Sequence, residues 1–437
     1  MAAVAAQGTI VAVSALADAV LPLIRTRTDL HRWSAANEHG RQMHEALDLL
    51  DAAAAAGDDP REVFAVTQKA IASAVKVIAR ADDSSGIIGD ACRRLLRLHP
   101  VAATAAKPPA ARLVAWMLKF QFEGEVDFFE LDPVAYAPAL GDKGLTAYRA
   151  KLAEIDAGLG PELPAPQPPA GQPYRSDQAA WDRWGEDQHT RFTLEWNARR
   201  LAVLDRDVEA IIATHSRDRA VAAWFTDTAE ALAEIGQIDL ALDWAKQGAD
   251  FDHGHQAHQA AEYWCTLLAE HRPGEELSAR WEVFTRWPAS GTAARLHRSA
   301  GESWPDYHDA TLERLSPTPR HAVLFALQSL RDTELAWQLA HSLNLQDADT
   351  WSLLVTAYEK IDPLAVLPAL TDLVLAELTE AGARHYQIAA RRLKKMRTLA
   401  DGTDKQDEVD RFILELRETH RRRPRLQREF DRAGLPA

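Results

Sequence analysis

Cysteine is nearly absent: Cys92 and Cys265 are the only two in 437 residues. Two thiols 173 positions apart cannot build a disulfide framework or a multi-cysteine zinc fold. Free thiols fit a reducing compartment, so the cytoplasm is the expected location. No stretch of eighteen uncharged apolar residues offers a membrane span. Asn-Gly pairs are missing and Asp-Gly occurs once, at Asp401-Gly402; hairpin turns depend on such pairs for cheap positive φ. Alternating β-branched runs are missing as well. So are the enzyme signatures: there is no Gly-x-Ser-x-Gly elbow, no phosphate loop ending in Gly-Lys-Ser/Thr and no dinucleotide Gly-x-Gly-x-x-Gly. His44-Glu45 leads to Asp48 rather than to a second histidine, so the zinc-protease pattern fails. A non-catalytic chain without a cofactor is expected. The charge is also one-sided, with 64 acidic against 50 basic residues and a net charge of −14. That balance disfavours a general nucleic-acid binder.

What is present is helix-forming. Ala, Leu, Arg, Glu and Gln fill the long segments. Residues 1–24 carry one charge, Asp18, and no Lys or Arg before Arg25, which does not suit a secretory signal. Ile10, Val13, Ala17, Val20, Leu21 and Ile24 recur at the spacing of one helix face, so a first amphipathic helix is expected. Pro161, Pro164, Pro166, Pro168, Pro169 and Pro173 cluster between Gly158 and Gln178. Proline removes backbone donors and favours extended chain, which predicts a linker over 157–178. It would separate an N-terminal helical domain, 1–156, from a helical repeat domain, 179–437.

In the second part the helices read as pairs. Residues 220–235, a turn at Gly236-Gln237 and residues 239–248 give Trp224, Ala229, Leu232, Gly236, Ala241, Leu242 and Ala245 in order. Large residues fill the gap between two helices and small ones let them approach, as in a tetratricopeptide repeat. Residues 259–272 with 276–284, 321–330 with 333–342, and 351–358 with 363–380 continue the pattern at irregular spacing. The expected architecture is all-α: helical hairpins stacked as an irregular tetratricopeptide-like solenoid behind an N-terminal helical domain. Such a solenoid offers a concave groove to a protein or peptide partner. The thirteen tryptophans suit packing anchors better than a cofactor box.

Four constellations are candidate sites. Residues 81–90 join an apolar helix to the next; Ser84, Ser85 and Asp90 are natural helix caps. The same segment offers Asp82, Asp83, Ser84, Ser85 and Asp90 as a partner loop. Residues 120–132 interleave five carboxylates with four phenylalanines. Glu123, Glu125, Asp127 and Glu130 either stay solvated while the phenylalanines anchor a non-helical segment, or meet a cation or partner. His255, His258, Glu262 and Cys265 share one helix face and are weak zinc candidates, bordering the apolar stripe of Ala261, Trp264 and Leu268. From Arg384 onward 15 basic residues face 9 acidic ones, a local net of +6 that leaves −20 for the rest. Arg421, Arg422, Arg423 and Arg425 are candidate phosphate contacts there, against intramolecular pairing with the acidic body.

Several stretches carry a resemblance. They are Leu21-Pro22-Leu23-Ile24-Arg25-Thr26-Arg27, residues 81–90, residues 122–133 with Tyr136 and Gly141, residues 386–393, and His420-Arg421-Arg422-Arg423-Pro424 through Gly434-Leu435. Together they resemble an uncharacterised bacterial all-helical family whose helical regions also occur fused behind SWIM-type zinc fingers. The finger needs three cysteines and a histidine, which this chain does not have, so zinc-dependent nucleic-acid contact is not implied. The resemblance implies an accessory helical protein. A protein-interaction scaffold is the expected function, and a nucleic-acid accessory role through the basic C-terminal helices is the alternative.

Overall fold

The computed structural model describes residues 15–124, 129–166 and 178–436. Among them every regular element is helical, and the one β-type contact is an isolated bridge between Leu30 and Ala81. The chain forms two compact units, Met1–Ala220 with Asp227–Ala241, and Val221–Thr226 with Leu242–Ala437.

The first unit opens with α1 (Ala15–Ile24), α2 (Trp33–Ala56), α3 (Pro60–Ile78), α4 (Ile87–Ala106), α5 (Ala110–Phe122), α6 (Pro133–Gly158), α7 (Gln178–Asp205) and α8 (Val208–His215). The expected first helix is present from Ala15, with Val20, Leu21 and Ile24 buried; Ile10 and Val13 lie outside the described residues. Its apolar stripe meets Met43, Leu47 and Leu50 of α2, Val66, Ala70 and Ile71 of α3, and Ile88 and Leu95 of α4 in one core. Each of the larger side chains contributes roughly 1.5–3 kcal/mol by leaving water. Two glycines set the geometry. A Cβ on Gly40 would stand 2.4 Å from Ile87 Cγ2, so α2 and α4 approach at a point where no side chain fits. Gly86 turns the chain into α4 at φ +77°, a conformation other residues adopt at a cost.

The cap of α4 differs from the sequence expectation. Asp83, rather than Ser84, Ser85 or Asp90, accepts the free amides of Ile88 (2.9 Å) and Gly89 (2.8 Å). The turn at Gly86 carries Asp83 back over the first helical turn, where those amides have no other partner. The helix runs through Pro100 to Ala106. Among the described residues of the 120–132 stretch, Phe120 and Phe122 are helical, in α5, while Glu123, Gly124 and residues 129–132 are not, and Phe129 is buried.

The proline-rich stretch is not where the compact units divide. Helix α7 returns to α6 within the first unit. Trp196 Nε1 donates to Leu131 O at 2.8 Å, Arg149 meets Asp205 at 2.7 Å, and the Tyr148 hydroxyl lies 2.6 Å from Asn197 Oδ1. Arg200 makes the strongest tie. Its Nε and Nη2 each reach Asp132, the cap of α6, at 2.9 Å, and its two terminal nitrogens reach Glu234 at 2.8 Å each. Burial alone would lower the Arg200 pKa, but the two carboxylates hold it above the ordinary arginine value.

Helices α9 (Ala222–Glu234) and α10 (Ile238–Asp250) follow, with Gly236 turning between them at φ +81°. The second unit continues through α11 (His255–His271), α12 (Pro273–Arg286), α13 (Ser290–Ala300), α14 (Pro305–Leu315), α15 (Pro319–Leu324), α16 (Thr333–Ser342), α17 (Ala348–Tyr358), α18 (Leu367–Thr379), α19 (Ala383–Ala400), α20 (Gln406–Thr419) and α21 (Pro424–Arg432). A π-helical turn, Phe325–Leu330, extends α15. Among the described elements of this unit, helices pack mainly on their sequence neighbours, α11 on α12, α16 on α17 and α18 on α19. Aromatic rings fill the joints: Trp337 stacks on Tyr358 at 4.2 Å and stands edge-on to Trp351 at 5.6 Å.

Arg200→Ala removes the one cation shared by two carboxylates. Their side chains keep 37% and 43% exposure, so the expected loss is about 2–3 kcal/mol rather than the larger figure for a fully buried pair. Urea denaturation measures it; an unchanged midpoint would show that the other contacts of α7 hold it without the Arg200 clamp.

Candidate functional site

Helix α7 has apolar residues around much of its circumference: Trp181, Trp184, Phe192, Leu194, Trp196, Leu201 and Leu204. A helix with one buried stripe needs fewer. One side of α7 closes the α6 core through Leu194, Leu201 and Leu204. Another side, with the end of α6 and the extended residues 159–162, borders a groove of about 620 Å³. Its walls include Leu152, Asp156, Glu162, Arg191, Phe192 and Glu195. Arg191 bonds Asp187 at 2.9 Å and donates to Gly160 O at 2.6 Å, which ties the extended segment to α7 and keeps the groove open between them. Phe192 is 41% exposed at its edge.

Beyond Trp196 a second cleft of about 360 Å³ opens between α4, residues 129–132 and α6. Its apolar lining includes Leu96, Phe129, Tyr136 and Trp196, and its polar lining is Arg93, Arg97, Glu130 and Asp132. Asp132 is held by Arg200 and Arg93 by Asp90 at 2.7 Å, which leaves Arg97 and Glu130 with no ion pair among the described residues. Arg199 lies behind Trp196, buried and 5.7 Å from its ring. Burial first, then the nearby Arg217, lowers its pKa.

Several polar groups of the first unit's interior are hydrogen-bonded to one another. The Tyr148 hydroxyl contacts both Gln121 Oε1 (2.5 Å) and Asn197 Oδ1 (2.6 Å), yet a phenol has one proton. Asn197 Nδ2 already donates to Thr193 O at 2.8 Å, which fixes that amide. The phenol proton can therefore serve only one of the two oxygens, and the Gln121 amide nitrogen, buried without a partner, would satisfy both groups if the amide were reversed. His99 is fully buried, 2.8 Å from Tyr136 Oη and 4.2 Å from the Trp116 ring, and burial pulls it down to about 3. Burial likewise holds His215 at about 4 and pushes both cysteine thiols up to about 12. At neutral pH these groups are uncharged, so none is a ready base or thiolate.

The sequence candidates fall in different places. Asp83 is spent on the α4 cap and the Ser85 hydroxyl bonds Asn37; Ser84 and Asp90 stay exposed, with Asp82 beside them. Glu123 ends α5 and is exposed, Glu130 rims the second cleft, and Glu125 and Asp127 lie outside the described residues. In the helix face 255–265, Glu262 is bound by Arg280 (2.7 Å) and Arg295 (3.0 Å), His258 stacks on Trp287 at 5.3 Å, His255 is exposed and Cys265 is buried. Among the described residues no group of three or more His, Cys, Asp or Glu is placed to hold a metal. In the tail, Arg421 meets Glu418 at 2.6 Å and Arg423 donates to Leu378 O at 2.8 Å, while Arg422 and Arg425 are exposed. Asp156, Glu162, Phe192 and Glu195 were not singled out in the sequence; the spread of apolar residues around α7 was the signal for them.

Fold and site together define an all-helical protein with a groove and a cleft on either side of one helix. Residues 3–425 match the model of a family of unknown function, DUF6880, and the chain belongs to that family. No curated protein matches it. Among the described residues no helix is long and apolar enough to cross a membrane.

His99 generates a pH prediction. Its folded pKa, about 3, lies below the ordinary histidine value, so the unfolded chain takes up the proton first as pH falls. Stability is intact above about pH 6.5 and drains away between there and pH 3, at up to ~1.4 kcal/mol per unit. His99→Phe keeps a ring against Trp116 and removes the proton. Urea unfolding at pH 7 and pH 4.5 should show the wild type losing about 2–3 kcal/mol more than the variant. Equal losses would contradict the buried neutral imidazole.

Proposed function

We propose that the chain is a non-catalytic scaffold that binds another protein through a helical groove. The groove along α7 carries this reading, because it joins exposed apolar surface to charged side chains on elements held rigidly by Arg200 and Arg191. A recess of that size with a mixed lining is typical of a binding site. The near-neighbour packing of the second unit supports a tetratricopeptide-like solenoid, an architecture used mainly for protein recognition. The buried and uncharged histidines and cysteines supply no reactive group. The two unbridged thiols favour the cytoplasm.

A nucleic-acid role is the second reading, on one observation. Arg384, Arg391 and Lys394 share an exposed face of α19 and have no ion pair among the described residues. Other tail cations are occupied: Arg392 by Glu377 at 3.1 Å, Arg397 by Asp410 at 2.7 Å and Arg417 by Asp431 at 3.0 Å. A charge-dependent gel shift at low salt, lost in Arg391→Glu/Lys394→Glu, favours this second reading; no shift at micromolar protein sinks it.

The scaffold reading is tested by photo-cross-linking in the source cell, with a benzophenone amino acid at Phe192 and, separately, at exposed Leu353 and Leu375. A discrete protein adduct at Phe192 is expected. No protein adduct at any of the three positions would overturn the scaffold.

A further inference from the structure

The groove beside α7 has a chemistry that selects its occupant. Its apolar walls include Leu152, Phe192 and Leu201, with Phe192 partly exposed at the edge. Around them stand Asp156, Glu162 and Glu195, all exposed and none with an ion-pair partner among the described residues. Arg191, the one cation in the lining, is spent on Asp187 and on the carbonyl of Gly160. Three carboxylates therefore face a single cation around a trough with apolar walls, and Arg191, already bonded to Asp187, offsets Asp156 and Glu162 only in part, which leaves the lining net negative.

We infer that this groove binds a cationic amphipathic segment of a partner protein. The segment's apolar side chains, spaced as on one helix face, lie in the trough, and its Lys and Arg flanks meet Asp156, Glu162 and Glu195. The inference rests on the scaffold reading and specifies its partner. The volume, about 620 Å³, suits a few apolar anchors of a helix laid in a groove. Complementary charge fixes orientation and raises the encounter rate, and it excludes acidic segments by leaving like charges face to face. The same carboxylates repel a phosphate backbone and an anionic lipid surface. Small residues complete the fit: Ala153 and Ala198 are exposed in the lining and leave room for the occupant's backbone.

The probe is a fluorescein-labelled peptide of about 18 residues, with leucines on one helix face and lysines elsewhere, titrated with the whole chain and followed by anisotropy. Binding is expected, weaker at high salt. Asp156→Lys/Glu162→Lys should weaken it at least about tenfold by reversing two rim charges. Ala198→Trp should do the same by filling the trough from an exposed helix position, and circular dichroism checks that both variants stay folded. Replacing the peptide's leucines by serine, or its lysines by glutamate, should abolish binding. No binding of the leucine–lysine peptide, equal affinity for the wild type and both variants, or equal binding of the glutamate peptide would each overturn the inference. Those results leave the scaffold itself standing, which fails only on the cross-linking outcome.

Discussion

The first unit depends on one guanidinium. Arg200 holds Asp132 at the start of α6 and Glu234 at the end of α9, with two bonds to each. Fork-to-fork pairing fixes orientation as well as distance, because planar donors and acceptors must align. Asp132 simultaneously caps α6 through the Val134 amide at 3.0 Å. The same residue thus starts one helix and anchors another, and α7 is set so that Trp196 faces one recess and Phe192 the other. Without that clamp the placement of α7 after the long proline-containing connection would rest on its apolar contacts and on the weaker ties of Trp196, Arg149 and Tyr148.

The interior shows how polar groups are accommodated without becoming reactive. Tyr148, Gln121, Asn197 and Thr193 pass hydrogen bonds along one chain, and the Tyr148 phenol is held above its ordinary pKa mainly by burial. His99 and His215 are neutral for the same reason. Other charges pair in short networks, such as Glu262 with Arg280 and Arg295 in the second unit.

Helix content was legible in the sequence because periodicity and the lack of hairpin pairs point the same way. The pairs 220–235 with 239–248 and 259–272 with 276–284 lie within a few residues of α9 to α12. Pro100 sits buried within α4, although a proline usually ends a helix. The clustered prolines after Gly158 suggested a domain boundary, but α7 packs back onto α6 through contacts between residues about fifty positions apart, which no local pattern reveals. The charge count of the tail left phosphate contact and intramolecular pairing both open; Arg392, Arg397, Arg417 and Arg423 are occupied by partners that only the fold brings near. The groove was invisible for the same reason: Asp156, Glu162 and Glu195 are unremarkable until α6 and α7 are side by side. Asp83 shows the local version, since its role as the α4 cap requires knowing how Gly86 turns.

The central claim is that the protein works through the groove beside α7. Hydrogen–deuterium exchange on the whole chain, with and without the leucine–lysine peptide, reads that groove directly. Slower exchange is predicted over residues 152–163 and 188–201, with the second unit unchanged. Slower exchange confined to α19–α21, or none anywhere at saturating peptide, would contradict the account.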